Sequence, residues 1–269
     1  MESEQQDVLS VLELPGLHTR AFGRTAFYIP EVDSTNLFLK SRAERFPFGT
    51  LLSAGEQTAG RGRLGRTWTG NGKDAPFSLL LQADAPQPAL SLCCGLAVAK
   101  GLSDLTGENV GIKWPNDIIC GNKKICGILC ECRPSDTSGV YMICGMGVNL
   151  TQTAEDFQRA GLPHGGSLGM FTYRPPDAKA VIAAVLNAFE PLYDIVERKG
   201  FPGIKEEFEG RCVTLGKQVR VLEGGESLTG TAVGIDDDGC LLVNFGDKSG
   251  RPRPVLAGEA SVRGLLGYI

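Results

Sequence analysis

The spacing of apolar positions divides the chain into strand-like and helix-like stretches. TLLSAGEQ, residues 50–57, reads as a strand. FSLLLQAD, residues 77–84, reads as another, and its nearly unbroken apolar run fits a strand buried on both faces. ALSLCCGLAVAKGLSDLTG predicts a buried helix closed by Gly107. DAKAVIAAVLNAFEPLYDIVERKG predicts a long helix, capped by Asp177, kinked at Pro191 and ended by Gly200. A shorter helix follows Asp33 in STNLFLKSRAERF. VGIKWPNDIIC and KICGILCE are two strand-like runs joined by Gly121-Asn122, a hairpin signal, and YMICGMGVNL adds a further strand. The pattern changes near Arg211. From CVTLGKQVRVL onward short β-like runs alternate with the turns EGGES, DDDG and GDKSG. The expected class is α+β: a body over residues 1–210 and a small, SH3-like β domain over residues 211–269. A hairpin in mid-sheet speaks against a purely parallel, doubly wound design.

Composition narrows the class. The 269 residues are 42% hydrophobic and 22% charged, with a net charge of −4, as in ordinary soluble domains. A chain of this length can bury a full core without disulfide staples. No apolar run approaches the ~20 residues of a bilayer span, so no membrane role is expected. The start, MESEQQDVLS, lacks the features of a secretory or transit segment. Nine cysteines lie mostly in apolar runs without a C-x-x-C pair, and there are only two histidines, which disfavours a zinc site. Reduced, core-packed thiols in a reducing, cytoplasmic compartment are expected instead. The acidic balance argues against nucleic acid as the partner.

Gly60-Arg61-Gly62-Arg63-Leu64-Gly65-Arg66-Thr67-Trp68 carries most of the chemistry. It satisfies G-x-G-x-x-G and nearly satisfies the P-loop pattern. Both readings require a helix to start at the loop, and TWTGNGKDAP cannot propagate one. The residue types still point to an anion. Three arginines repel one another, glycines loosen the backbone between them, and the guanidinium fork holds two oxygens at once. The segment is expected to order around phosphate or carboxylate. The plain alternative is a solvated basic loop or an RNA contact.

KWPNDIICGNKKICGIL forms a second cluster, residues 113–129. Pro115 fixes the backbone ahead of Asn116 and Asp117, orienting both at a strand entrance. Lys124 opens an apolar run and must reach a partner anion, because a buried unpaired ammonium is too costly. Gly127 would let a ligand approach the strand closely. The alternative makes Asn116-Asp117 a turn device and Lys124 an edge-strand guard.

The two clusters in this order resemble the biotin–protein ligase family. The resemblance extends over Asp33 to Asn36, Gln57 to Trp68, Lys113 to Leu129, Gly145 to Asn149 and Gly258 to Arg263. It implies a mixed sheet with helices, related to class II aminoacyl-tRNA synthetases and lipoate ligases, followed by an SH3-like barrel. The implied reaction has two steps. Biotin and MgATP give biotinyl-5′-adenylate, and the biotinyl group then passes to a lysine of a biotin carboxyl carrier domain.

By the same resemblance, Ser34, Thr35, Asn36, Gln57, Arg61, Gly62, Arg63, Lys124 and Gly127 surround biotin. Arg63, Arg66, Trp68, Asn116, Lys124 and Asn149 hold ATP, with Mg²⁺ bound chiefly through the phosphates. The hydroxyls and amides of Ser34, Thr35, Asn36 and Gln57 match a ureido group, although Ser34 and Thr35 also read as a helix N-cap. Arg63 and Lys124 would neutralise the meeting anions. Asn116 and Asp117 would lie near Mg²⁺ or the carrier lysine, with Asp117 the candidate for orienting that amine. Only 33 residues precede Ser34, which leads to the expectation of a monofunctional ligase without a helix-turn-helix domain. Rival readings are a lipoate–protein ligase, a non-catalytic nucleotide- or RNA-binding module, and a biotin-sensing regulator. A homodimer is open.

Overall fold

The computed structural model describes residues 9–136, 138–223, 226–247, 250–257 and 261–264. Gly258, Glu259 and Ala260 and the side chain of Arg263 therefore lie outside the described residues. In chain order the elements are β1 (Ser10–Val11), β2 (Ala26–Val32), α1 (Thr35–Ser41), β3 (Leu51–Gln57), β4 (Asp74–Ala83), α2 (Ala89–Thr106) and β5 (Val110–Lys113). There follow β6 (Asp117–Cys120), β7 (Lys123–Pro134), β8 (Val140–Asn149), α3 (Ala154–Arg159), α4 (Ala178–Lys199) and α5 (Lys205–Arg211). The last are β9 (Gln218–Glu223), β10 (Glu226–Ile235), β11 (Leu241–Asn244), β12 (Arg253–Val255) and β13 (Ser261–Gly264).

The first eight strands form one sheet in the order β1-β2-β3-β4-β8-β7-β6-β5. Only β2 and β3 run parallel, so the sheet is mixed. The other five form an antiparallel sheet, β12-β11-β10-β9-β13, in which the last strand returns beside the first, an SH3-like order. The two sheets share a core. Trp114 donates from its indole to the Gly239 carbonyl at 3.1 Å, and Val221, Leu241 and Val243 join the same buried cluster as Ile112 and Ile128.

The period-2 alternation of strand side chains decides which residues face what. Phe77, Leu79 and Leu81 of β4 point to the face covered by α2 and α4. Leu80 points the other way, into a small cluster with Phe38 and Leu39 of α1. That double burial is what the unbroken apolar run of β4 implied. α2 is long and apolar enough to cross a bilayer, but 61% of it is buried inside the protein, as a core helix. On the same face the thiols of Cys94, Cys130 and Cys144 lie within 4.8 Å of one another. Every one of the nine cysteines is free, and burial pushes the Cys93 and Cys126 thiols up, so they stay protonated.

Two differences from the sequence reading, at Trp114-Pro115 and at Lys124, have local causes. VGIKWPNDIIC is two strands, because Pro115 cannot donate to a ladder and Trp114-Pro115-Asn116 turns the chain back so that Lys113 faces Asp117. The next turn, at Gly121-Asn122, has positive φ at both residues (48° and 64°), the twist a two-residue hairpin needs. Strand β7 lies between β6 and β8, so Lys124 guards no edge. Finally, α4 runs unbroken through Pro191 from its Asp177 cap to Gly200.

Next to that proline, the buried Glu190 carboxylate accepts the backbone N–H groups of Arg20 at 2.7 Å and Ala21 at 2.8 Å, clasping the N-terminal loop. Burial alone would raise the Glu190 pKa, yet these donors outweigh it and the net shift is downward. A depressed carboxylate stabilises the fold above its unfolded pKa of about 4.3, and that stability disappears as pH falls through the folded value. Glu190→Gln should lower urea stability at pH 7 by about 2 kcal/mol, from the loss of charged hydrogen bonds. The gap to wild type should narrow below about pH 4.

Candidate active site

Beyond the end of α1 the sheet face that α1 covers lies open, and there the strands carry glycine. Gly127 and Gly147 face each other across β7 and β8. A Cβ at Gly147 would sit 2.5 Å from Cε2 of Trp68, and one at Gly127 would sit 3.0 Å from its Cζ3, so the indole lies directly on this glycine floor. Gly145 makes room in the same way for Asn36, whose Oδ1 would be 2.2 Å from a Cβ there. The result is a cavity of about 700 Å³. All the proposed ligand residues line it: Ser34, Thr35, Asn36, Gln57, Arg61, Gly62, Arg63, Arg66, Trp68, Asn116, Asp117, Lys124, Gly127 and Asn149.

One side is lined by hydroxyls and amides, with the Glu131 carboxylate behind them. Ser34 caps α1, its hydroxyl accepting from the Leu37 N–H at 3.5 Å, so the N-cap reading holds alongside its place in the cavity wall. Gln57 Oε1 accepts the backbone N–H of Thr35 at 2.8 Å and its hydroxyl at 3.1 Å. Ser78, fully buried on β4, lies 2.7 Å from both Thr35 Oγ1 and Asn36 Oδ1. Asn36 donates to the Leu129 carbonyl and to Glu131, each at 3.0 Å. Every amide in this network is held in one orientation by its neighbours.

The other side is cationic. The glycine–arginine loop is a small hairpin, not an open coil: Gly62 N–H donates to the Arg66 carbonyl, Trp68 N–H to that of Gly60, and Arg61 bridges Thr67. Leu64 and Gly65 turn it with positive φ. Besides the Trp68 indole, which donates to Asp74 of β4, two arginines pin it to its surroundings. Arg61 reaches Glu131 at 3.4 Å, and Arg63 Nη1 donates to Asn116 Oδ1 at 2.7 Å. Arg63 Nη2 is buried and has no hydrogen-bond partner among the described residues. Desolvation by burial lowers the Arg63 pKa, against an upward pull from Asp117. Lys124 Nζ pairs with Asp117 Oδ1 at 2.6 Å and lies 5.7 Å from the Trp68 ring centroid. Arg66 stands exposed at the rim.

Several residues of the site escaped the sequence reading. Ser78 and Glu131, which stand behind the lining residues Thr35, Asn36 and Arg61, are visible only through the fold. Segment 157–165 forms a side wall, tied down where Lys124 N–H donates to the His164 carbonyl and Gly166 N–H to that of Lys124. Its signal was the Thr153-x-x-Asp156 capping box that starts α3. Arg220 and Val262 bring the C-terminal sheet to the cavity.

Comparison with known proteins gives the family. Residues 28–149 match the biotin/lipoate A/B protein ligase family, and residues 214–263 match the biotin protein ligase C terminal domain. The bifunctional ligase/repressor BirA of Bacillus subtilis is 34% identical over 233 residues, covering 85% of this chain and 72% of its own. The biotin–[acetyl-CoA-carboxylase] ligase of Mycobacterium tuberculosis is 33% identical over 245 residues, 86% of each chain. The biotin protein ligase from Aquifex aeolicus, solved in complex with biotin and ATP, matches with a TM-score of 0.77 and 30% identity, over 90% of this chain and 99% of that one. The chain belongs to the biotin protein ligase family.

Gly145→Ala should wedge a methyl group against Asn36 and break the Thr35–Ser78–Asn36 network. A loss of about 1–3 kcal/mol in urea unfolding is the expected cost of overpacking, read from the denaturation midpoint.

Proposed function

We propose that this chain is a biotin–protein ligase that forms biotinyl-5′-adenylate and passes the biotinyl group to a lysine of a biotin carboxyl carrier domain. The observation that carries the reading is the meeting of Arg61, Arg63 and Lys124 with a fixed amide network in one cavity, Arg63 Nη2 being buried without a hydrogen-bond partner among the described residues. A buried charged donor without a partner is costly, so the site is built for an anion. The hydroxyls and amides suit a ureido ring, with two N–H donors and one carbonyl acceptor. A lipoyl group would leave those buried amides and hydroxyls unmatched.

In the first step a biotin carboxylate oxygen attacks the α-phosphorus of ATP, and pyrophosphate leaves. The protein has little proton transfer to perform; its work is alignment and neutralisation. Arg61, Gly62 and Arg63 close over the carboxylate side. Lys124 turns from Asp117 to the carboxylate and α-phosphate. Trp68, Asn149 and Arg66 hold the nucleotide, with Asn116 steadying Arg63 from below. Magnesium would enter chiefly on the ATP phosphates; Asn116 Oδ1 is held by Arg63, and Asp117 would face the ion only after Lys124 has turned away.

In the second step the carrier lysine, as free amine, attacks the carbonyl carbon of the mixed anhydride, and AMP leaves. Once Lys124 has turned away, Asp117 is released to accept a hydrogen bond from that amine. The free thiols fit a reducing, cytoplasmic setting. The C-terminal β domain, taken as residues 211–269, closes one side of the site through Arg220.

Biotin-dependent ATP–pyrophosphate exchange tests the reading. Lys124→Ala and Arg63→Ala should each lower exchange by on the order of 100-fold, as for loss of one preorganised oxyanion partner. Exchange with lipoate should be absent. Asp117→Asn should slow transfer from preformed biotinyl-adenylate to a carrier domain; an unchanged transfer rate would remove Asp117 from that role. Exchange that does not depend on biotin would reject the ligase.

A further inference from the structure

We propose that Asp74 is a positioning residue for the nucleotide, locking the Trp68 indole as a flat platform at the centre of the cavity. The inference rests on the ligase reading and adds a residue to it.

The indole is held on two sides. Its Nε1–H donates to Asp74 Oδ2 at 2.8 Å, and its underside lies on the bare backbone of Gly127 and Gly147. Asp74 is itself fixed. It is the first residue of β4, only 8% exposed, and sits opposite Asn149 in the β4–β8 ladder. The Gly70 backbone closes over the carboxylate so tightly that a Cβ there would fall 1.7 Å from Asp74 Oδ1. Gln152 then ties Gly70 to Asn149, donating to the Gly70 carbonyl at 3.3 Å and to Asn149 Oδ1 at 3.1 Å.

A carboxylate in this place is expensive: burial raises the Asp74 pKa, and the indole N–H only partly offsets it. A neutral apolar residue would pack there at lower cost if Trp68 were mere filling. What the carboxylate adds is direction. A charge-assisted hydrogen bond fixes the rotation of the indole about its long axis, which apolar contact with glycine does not. Trp68 lines the cavity, with the Lys124 ammonium over the ring 5.7 Å from its centroid and Asn149 also in the lining. Asn149 spends one amide hydrogen on the Gly166 carbonyl and accepts from Gln152, leaving one hydrogen and one lone pair. A flat ring edged with donors and acceptors, next to an anion, matches that surface. That is a purine nucleotide.

The test uses the full chain. Asp74→Leu keeps the volume but cannot accept the indole hydrogen bond, and Asp74→Asn keeps an acceptor. Two quantities are measured: steady-state constants of biotin-dependent pyrophosphate exchange, and acrylamide quenching of Trp68 fluorescence, isolated by subtracting Trp68→Phe. Asp74→Leu should raise the KM for ATP about tenfold, as for one lost charged hydrogen bond. Its kcat and biotin KM should stay within about twofold of wild type, and its Trp68 quenching constant should about double. Asp74→Asn should recover both. An unchanged ATP KM in Asp74→Leu overturns the proposal, whether or not quenching changes, and so does an equal loss for biotin and ATP. If Asp74→Leu does not fold, Asp74→Ala takes its place with the same expectations. Should wild type show no biotin-dependent exchange, the ligase reading fails by itself. The quenching arm and ATP binding followed by Trp68 fluorescence then decide whether Asp74 governs the platform.

Discussion

Two anions must be brought into bonding contact for this chemistry to start, and like charges about 4 Å apart repel by about 4 kcal/mol at an effective dielectric near 20. Cations can cancel that, yet cations gathered in a half-buried cavity repel one another in turn. The structure meets the second problem by giving three of the cations nearby partners. Arg61 has Glu131, Arg63 has Asn116, and Lys124 has Asp117. Arg63 still keeps an orphaned donor. The charges are thus stored next to where they are needed, at a modest cost of reorganisation.

The architecture around the cavity follows from this demand. Charged side chains hold position only if what carries them is rigid, and a sheet with helices packed on one face is rigid. Glycine at 127, 145 and 147 turns the other face into a floor, letting Trp68 and Asn36 lie against backbone. The arginine hairpin lies outside the sheet and hangs from it by Arg61, Arg63 and Trp68. The hydroxyls and amides lie alongside, where Ser78 and Glu131 lock amides that would otherwise rotate freely.

Much of this was legible in the sequence because local rules governed it. The Gly107 and Asp177 caps, the Gly121-Asn122 turn and the doubly buried β4 each follow from residues a few positions apart. The arginine loop and Lys124 announced themselves through charge set among glycine and apolar neighbours. What stayed hidden depends on contacts between distant segments. Ser78 reads as one more residue of an apolar strand until the fold sets it beside Thr35 and Asn36. The same is true of Glu131, and of Arg220, which reaches the cavity from the second sheet. The partner of Lys124 was also out of reach. Asp117 precedes it by only seven residues, and the two meet because the hairpin pairs Lys124 with Ile119, on the strand face that Asp117 shares. The continuous strand expected across Trp114-Pro115 failed because one missing N–H outweighed the apolar pattern on either side.

The most direct test of the account is a crystal structure of this enzyme with biotinyl-5′-adenylate bound. Lys124 Nζ should have left Asp117 for the phosphate oxygens, with Arg63 Nη2 on the same anionic group. Lys124 still paired to Asp117, and Arg63 Nη2 still without an acceptor, would contradict it.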